Sequence, residues 1–183
     1  MADLVSAAAN QHGGGAPSRK GHFGRGVVSE LPSVPDIAKK PILLVEDSIE
    51  DAALLQRVLQ RVGVANRLFT VPSAEEAIAY LEGSGQYSDR WRFPLPGVLL
   101  LDLRLPAASG FSVLEWLKIQ ADLNDILILV LSGQEEVRNV SRAYALGARS
   151  FLMKPVNQEE IANMVKGFPG FWELPGSPGT PCG

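Results

Sequence analysis

The chain has 183 residues, 46% of them hydrophobic, and a formal net charge of −3. That length holds one ordinary domain with residues to spare, the apolar content supports a buried core, and the charge gives no general attraction for nucleic acid. Both histidines, His12 and His22, stand near the start and the single cysteine is Cys182, so the remainder offers no Ser–His or Cys–His pair, no zinc set and no disulfide.

Residues 1–40 are rich in Gly, Pro, Ser and Ala with little periodicity and read as a flexible N-terminal tail. Arg19, Lys20, Arg25 and the histidines could alternatively make it a docking arm, and Val27, Val28 and Leu31 could tack part of it to the body. No apolar run approaches transmembrane length and no secretory pattern opens the chain, so the expected setting is cytoplasmic, away from a membrane. Order is expected from Pro41. Ile42-Leu43-Leu44-Val45 reads as a buried strand ending at Glu46-Asp47. Ser48 caps a helix whose inner face is Leu55, Val58, Leu59 and Val62, and Gly63 ends it. Arg67 to Val71 is a second strand. Ser73 and Glu76 form a capping box before a helix that turns Ala74, Ala77, Ile78 and Leu81 inward and stops at Gly83.

A longer loop, 84–97, carries Tyr87, Trp91, Phe93 and two prolines, and Trp91 and Trp116 read as packing residues. Val98 to Asp102 is a third strand: four apolar residues ending on a carboxylate, followed by breaks at Pro106 and Gly110. A third helix starts near Ser109 with Val113, Leu114 and Leu117 inward. Ile126 to Leu131 is a fourth strand, ending at Ser132-Gly133. Val137, Val140 and Tyr144 mark a fourth helix, on which Arg138 and Arg142 are read as solvating charges. Phe151 to Met153 is a short fifth strand ending at Lys154-Pro155. Asn157 and Glu160 cap a last helix with Ile161, Met164, Val165 and Phe168 as its face. Trp172 reads as a cover for apolar surface, and 175–183 as a loose C-terminal tail. Five strand–helix units in strict alternation predict a flavodoxin-like five-stranded parallel sheet with helices on both faces, domain bounds 41–174 and strand order 2-1-3-4-5.

In a parallel sheet the C-terminal strand ends share one edge, where ligands bind. Glu46, Asp47, Asp102, Ser132 and Lys154 all fall there. Three clustered carboxylates repel one another unless a cation intervenes, and an all-oxygen set suits Mg²⁺. Such a set suggests phosphoryl chemistry: Asp102 as a carboxylate nucleophile, Lys154 as a point charge and Ser132 as a hydrogen-bond donor to phosphoryl oxygens.

In this order and setting, Glu46-Asp47, Asp102, Ser132 and Lys154-Pro155 resemble the receiver domain of the two-component response regulator family, over about Pro41 to Phe168. The resemblance implies that Asp102 accepts a phosphoryl group from a sensor histidine kinase. It also implies that Glu46, Asp47, Asp102 and the backbone carbonyl of Arg104 hold Mg²⁺, and that Ser132 and Lys154 bind the phosphoryl group. Phe151 would be the aromatic switch. Arg104 and Gln134 would flank the attacking water and tune the lifetime of the acyl phosphate. The 84–97 loop, Asp-Leu-Arg-Leu-Pro at 102–106 and Phe171-Trp172 are similar to the small stand-alone regulators that partner cyanobacterial and bacterial phytochrome kinases. That likeness implies a homodimer through the face of the fourth helix, fifth strand and fifth helix. Ser132-Gly133 stands where that subgroup often has two threonines, and the 40-residue tail is a further departure. Signalling is expected through protein contacts, without direct nucleic-acid binding and without enzyme activity beyond self-phosphorylation and self-dephosphorylation.

Bland readings stand beside these. Asp102 or Ser132 alone could be a helix cap, Lys154 surface charge, and Phe151 a core aromatic. The rival functions are a receiver-like protein-binding module that does not use phosphorylation, a haloacid-dehalogenase-type phosphatase, and a flavodoxin relative. The phosphatase needs a second Asp two residues after the nucleophile, where this chain has Arg104. The flavodoxin reading lacks a phosphate loop.

Overall fold

The computed structural model describes residues 39–106, 109–133 and 139–175. Gln134, Val137, Arg138, Cys182, and the readings made for residues 1–38 and 176–183, lie outside them. The elements in chain order are β1 (Ile42–Val45), α1 (Ile49–Arg61), β2 (Leu68–Val71), α2 (Ala74–Glu82), β3 (Val98–Asp102), α3 (Phe111–Lys118), β4 (Leu127–Ser132), α4 (Val140–Ala145), β5 (Ser150–Met153) and α5 (Gln158–Gly167). The strands form one parallel sheet in the order β2-β1-β3-β4-β5.

β1, β3 and β4 are buried along their whole length, which is why they read as unbroken apolar runs. Alternate residues serve opposite faces. Leu43, Val45, Leu99 and Leu101 pack with α2, α3 and Ala143 of α4. Ile42, Leu44, Leu100 and Leu129 pack with α1, α5 and Trp172. Three helix starts carry side-chain caps: Ser48 accepts from the Asp51 amide, Ser73 from the Glu76 amide, and Asn157 forms a reciprocal box with Glu160. Gly83, at φ +74°, closes α2 in the left-handed conformation.

The 84–97 loop is tied down rather than loose. Arg90 donates through Nη1 to the Tyr80 carbonyl (2.7 Å) and through Nη2 to the Leu81 carbonyl (2.6 Å), capping α2 from outside. Tyr80 Oη donates to the Pro94 carbonyl and Tyr87 Oη to Glu76 Oε2. The rings of Phe69, Tyr80, Tyr87 and Phe93 cluster at centroid distances of 5.1–6.0 Å.

At the N-terminal edge of the sheet, Asn66 joins three segments. Its Nδ2 donates to the carbonyls of Lys40 and Phe171, and its Oδ1 accepts from the Glu173 amide. This holds Trp172 in place at 5% exposure. The Trp172 Nε1–H has no partner among the described residues, so the indole serves as an apolar plug, the cover expected from the sequence.

Two aromatic expectations are corrected. Trp91 is not a packing residue: it is 97% exposed at the tip of the 84–97 loop, because Arg90 and Phe93 on either side take the inward positions. Tyr144 is not the inner face of α4. It is 48% exposed, and the small Ala143 is buried instead. Trp116 is half-buried against the core, as expected.

Candidate functional site

Glu46, Asp47, Asp102, Ser132 and Lys154 arrive at the C-terminal edge by the register of the sheet. Asp102 is paired with Leu131 and Ser132 with Met153, so the ends of β3, β4 and β5 lie side by side. Glu46 and Asp102 are both 4% exposed and Ser132 is fully buried, whereas Asp47 is open to solvent. A cavity of about 620 Å³ opens over this edge, walled in part by Glu46, Asp47, Asp51, Asp102, Arg104 and Lys154.

Lys154 dominates the electrostatics. Its Nζ lies 2.5 Å from Glu46 Oε2, 2.5 Å from Asp102 Oδ2 and 3.1 Å from Asp51 Oδ2. Three acceptors match the three protons of an ammonium. The remaining oxygens of the two buried acids are also used. Asp102 Oδ1 accepts from the Arg104 amide at 2.7 Å, and Glu46 Oε1 from the Ser48 amide at 3.2 Å. Burial, the largest influence, pushes the Glu46 carboxyl above its usual pKa; the Asp102 charge adds to this, and Lys154 only partly offsets it. For Lys154 burial works in the opposite direction, but Asp102, Glu46 and Asp51 outweigh it and raise its pKa.

Carboxylate oxygens of Glu46, Asp47 and Asp102 lie within 4.8 Å of one another. This oxygen-only set fits a hard divalent cation that keeps several waters, the Mg²⁺ or Mn²⁺ type. It does not distinguish between the two.

The other predicted residues are placed less uniformly. The Ser132 hydroxyl donates to the Gly133 carbonyl at 3.3 Å, and Gly133 rather than Ser132 lines the cavity. The Lys154 amide donates to the Ser132 carbonyl at 2.8 Å, so the two residues are fastened through the main chain. Phe151 is half-buried on the α2–α3–α4 face of the sheet, two residues before the β5 position opposite Ser132. The Lys154–Pro155 peptide is cis. Asp51 was missed as a site residue. In the sequence it reads only as an early helix acid, and its place four residues after Asp47, on the first turn beside the edge, was the available signal.

A carboxylate-rich edge on a 2-1-3-4-5 parallel sheet, with a lysine spanning two buried acids, defines a receiver-type signalling fold. Residues 42–166 match the family described as Response regulator receiver domain, and the chain belongs to that family. It is 35% identical over 133 residues to response regulator Rcp1 of Synechocystis sp., covering 73% of this chain and 88% of the relative. The crystal structure of the Mn²⁺-bound form of Rcp1 superposes with a TM-score of 0.60, over 74% of this chain and 99% of that one. The phosphorylated cyanobacterial phytochrome response regulator RcpA is 34% identical with a TM-score of 0.61, over 75% and 99%. The chain is thus a receiver domain related to phytochrome response regulators. Among its described residues no helix is long and apolar enough to cross a membrane.

Proposed function

We propose that this protein is a response regulator whose Asp102 accepts a phosphoryl group from a phosphohistidine on a sensor histidine kinase. One Asp102 carboxylate oxygen forms the O–P bond as the N–P bond breaks, and the histidine, already protonated on its other ring nitrogen, leaves as the neutral imidazole. The observation that carries this reading is the position of Asp102: buried at the end of β3 yet lining the cavity, with Arg104 N–H on one oxygen and Lys154 Nζ on the other. The Arg104 amide holds the carboxylate's orientation. Lys154 moves from Asp102 to an oxygen of the transferred group, as a mobile point charge can. The Ser132 hydroxyl turns from the Gly133 carbonyl to donate to the same group.

Glu46, Asp47, Asp102 and the Arg104 carbonyl would hold Mg²⁺, which supplies neutralisation of the charge on the phosphoryl oxygens. The Mn²⁺-bound form of Rcp1 and the phosphorylated state of RcpA support this by relationship. The same relationship makes a phytochrome-type kinase the proposed input, with a homodimer through α4, β5 and α5 and the Phe151 side chain as the switch on that face. Arg104, at the cavity mouth, would shield the acyl phosphate from water and set its lifetime; Gln134 has that role in the same reading.

Incubation with acetyl phosphate and Mg²⁺, followed by intact mass, tests the core of this. Wild type should gain one phosphoryl group and Asp102→Asn none. A variant that labels as well as wild type places the acceptor elsewhere. A wild-type protein inert to both acetyl phosphate and cognate kinase is a binding module.

A further inference from the structure

Lys154 has one carboxylate partner that is not part of the candidate metal set. Glu46, Asp47 and Asp102 can place oxygens around one cation, but two of those acids are also the closest partners of the Lys154 ammonium. A divalent cation and an ammonium held by the same two carboxylates repel each other, so metal entry weakens the hold of Glu46 and Asp102 on Lys154. Asp51 is differently placed. It stands on the first turn of α1, its own amide bonded to Ser48 Oγ, and reaches Lys154 at 3.1 Å with its side chain half exposed. It can therefore keep the ammonium paired without giving up a metal ligand.

We infer that Asp51 is a positioning residue: it retains Lys154 beside Asp102 when the metal takes Glu46 and Asp102. The inference rests on the metal-site reading above. The Asp51 contact matters more in the metal-bound than in the metal-free state, so its loss selectively weakens metal binding, and only where Lys154 is present. A general electrostatic role, by contrast, would depend on the Asp51 charge alone.

The test is a double-mutant cycle on the full chain, with Mg²⁺ affinity read by calorimetry in the absence of any phosphoryl donor. Asp51→Asn should weaken Mg²⁺ about threefold, the scale of a partly exposed charge pair. In a Lys154→Met background, the same substitution should change affinity little. Glu50→Gln, which removes the neighbouring charge on the same turn, should leave affinity near wild type. An equal loss from Asp51→Asn in both backgrounds, or an equal loss from Glu50→Gln, overturns the inference and leaves the metal site standing. Wild-type protein that binds no Mg²⁺ overturns both.

Discussion

The carbonyl oxygen of Asp102 lies against the bare Cα of Gly110, where a Cβ would be forced into that oxygen. The Gly110 amide also returns to the Leu103 carbonyl at 3.1 Å. Gly110 thus packs directly against the main chain that carries the Asp102 carboxylate. Gly110 has an ordinary helical φ of −52°, so what the position demands is space rather than unusual backbone freedom. Gly110→Ala should cost about 1–3 kcal/mol, the range for overpacking a tight site. Urea denaturation measures the loss, and metal affinity should fall with it as Asp102 is displaced.

Lys154→Met leaves the Glu46 and Asp102 carboxylates buried together without their ammonium. In Mg²⁺-free buffer near neutral pH the variant should be less stable than wild type by about 3 kcal/mol, as when one partner of a buried ion pair is removed. Excess Mg²⁺ should restore most of that, because a ligand that binds only the folded state stabilises it by mass action. Urea midpoints with and without Mg²⁺ decide the matter. An equal deficit in both buffers would show that Lys154 does not compete with metal.

Burial raises Tyr80 and Tyr87 from the usual 10 to about 12, the Glu76 carboxylate that accepts the Tyr87 proton adding to the second shift. Below pH 10 these phenols are neutral in folded and unfolded chains alike. Between 10 and 12 the unfolded chain loses the protons that the folded chain keeps. Stability is therefore fully present below pH 10 and lost as pH rises through about 12, by about 2–3 kcal/mol for each ring. Lys154 adds a loss in the alkaline range, so the readout is the difference between wild type and Tyr80→Phe/Tyr87→Phe. The double variant should show the shallower fall between pH 10 and about 12.

Arg90→Ala removes two charge-assisted bonds to the last carbonyls of α2. A loss of about 1.5–3 kcal/mol is expected, with protease cleavage appearing near Trp91. Arg90→Lys should recover little of it, since a point charge cannot span the Tyr80 and Leu81 carbonyls as the planar fork does. Limited proteolysis and thermal melts of the two variants would separate these outcomes.

The fold could be read closely because its signals are local. The four-residue run Ile42–Val45 and the five-residue run Val98–Asp102 are the observed strands, and Ser48, Ser73 and Asn157 are the observed caps. The strand-end acids, Ser132 and Lys154 came together because a parallel sheet gathers its C-terminal ends. What failed depended on neighbours in space. Among the described residues α4 spans Val140–Ala145 and buries an alanine, which gives almost no hydrophobic signal, so the sequence pattern points to the larger Tyr144 instead. Trp91 lies between two residues that anchor the loop, and hydrophobicity alone cannot say which of adjacent aromatics turns inward. Asp51 pairs with Lys154, 103 positions away in sequence but 3.1 Å away in space, and no helix periodicity marks such a pair.

Asn66 has a consequence for assembly. By holding Lys40 on one side and Phe171 and Glu173 on the other, it brings the entrance and exit of the folded body to one corner. That corner is at the N-terminal edge of the sheet, away from Asp102. A body with such adjoining ends can be spliced into a host loop as a cassette without being stretched. The acidic edge lies at the opposite end of the strands from that corner.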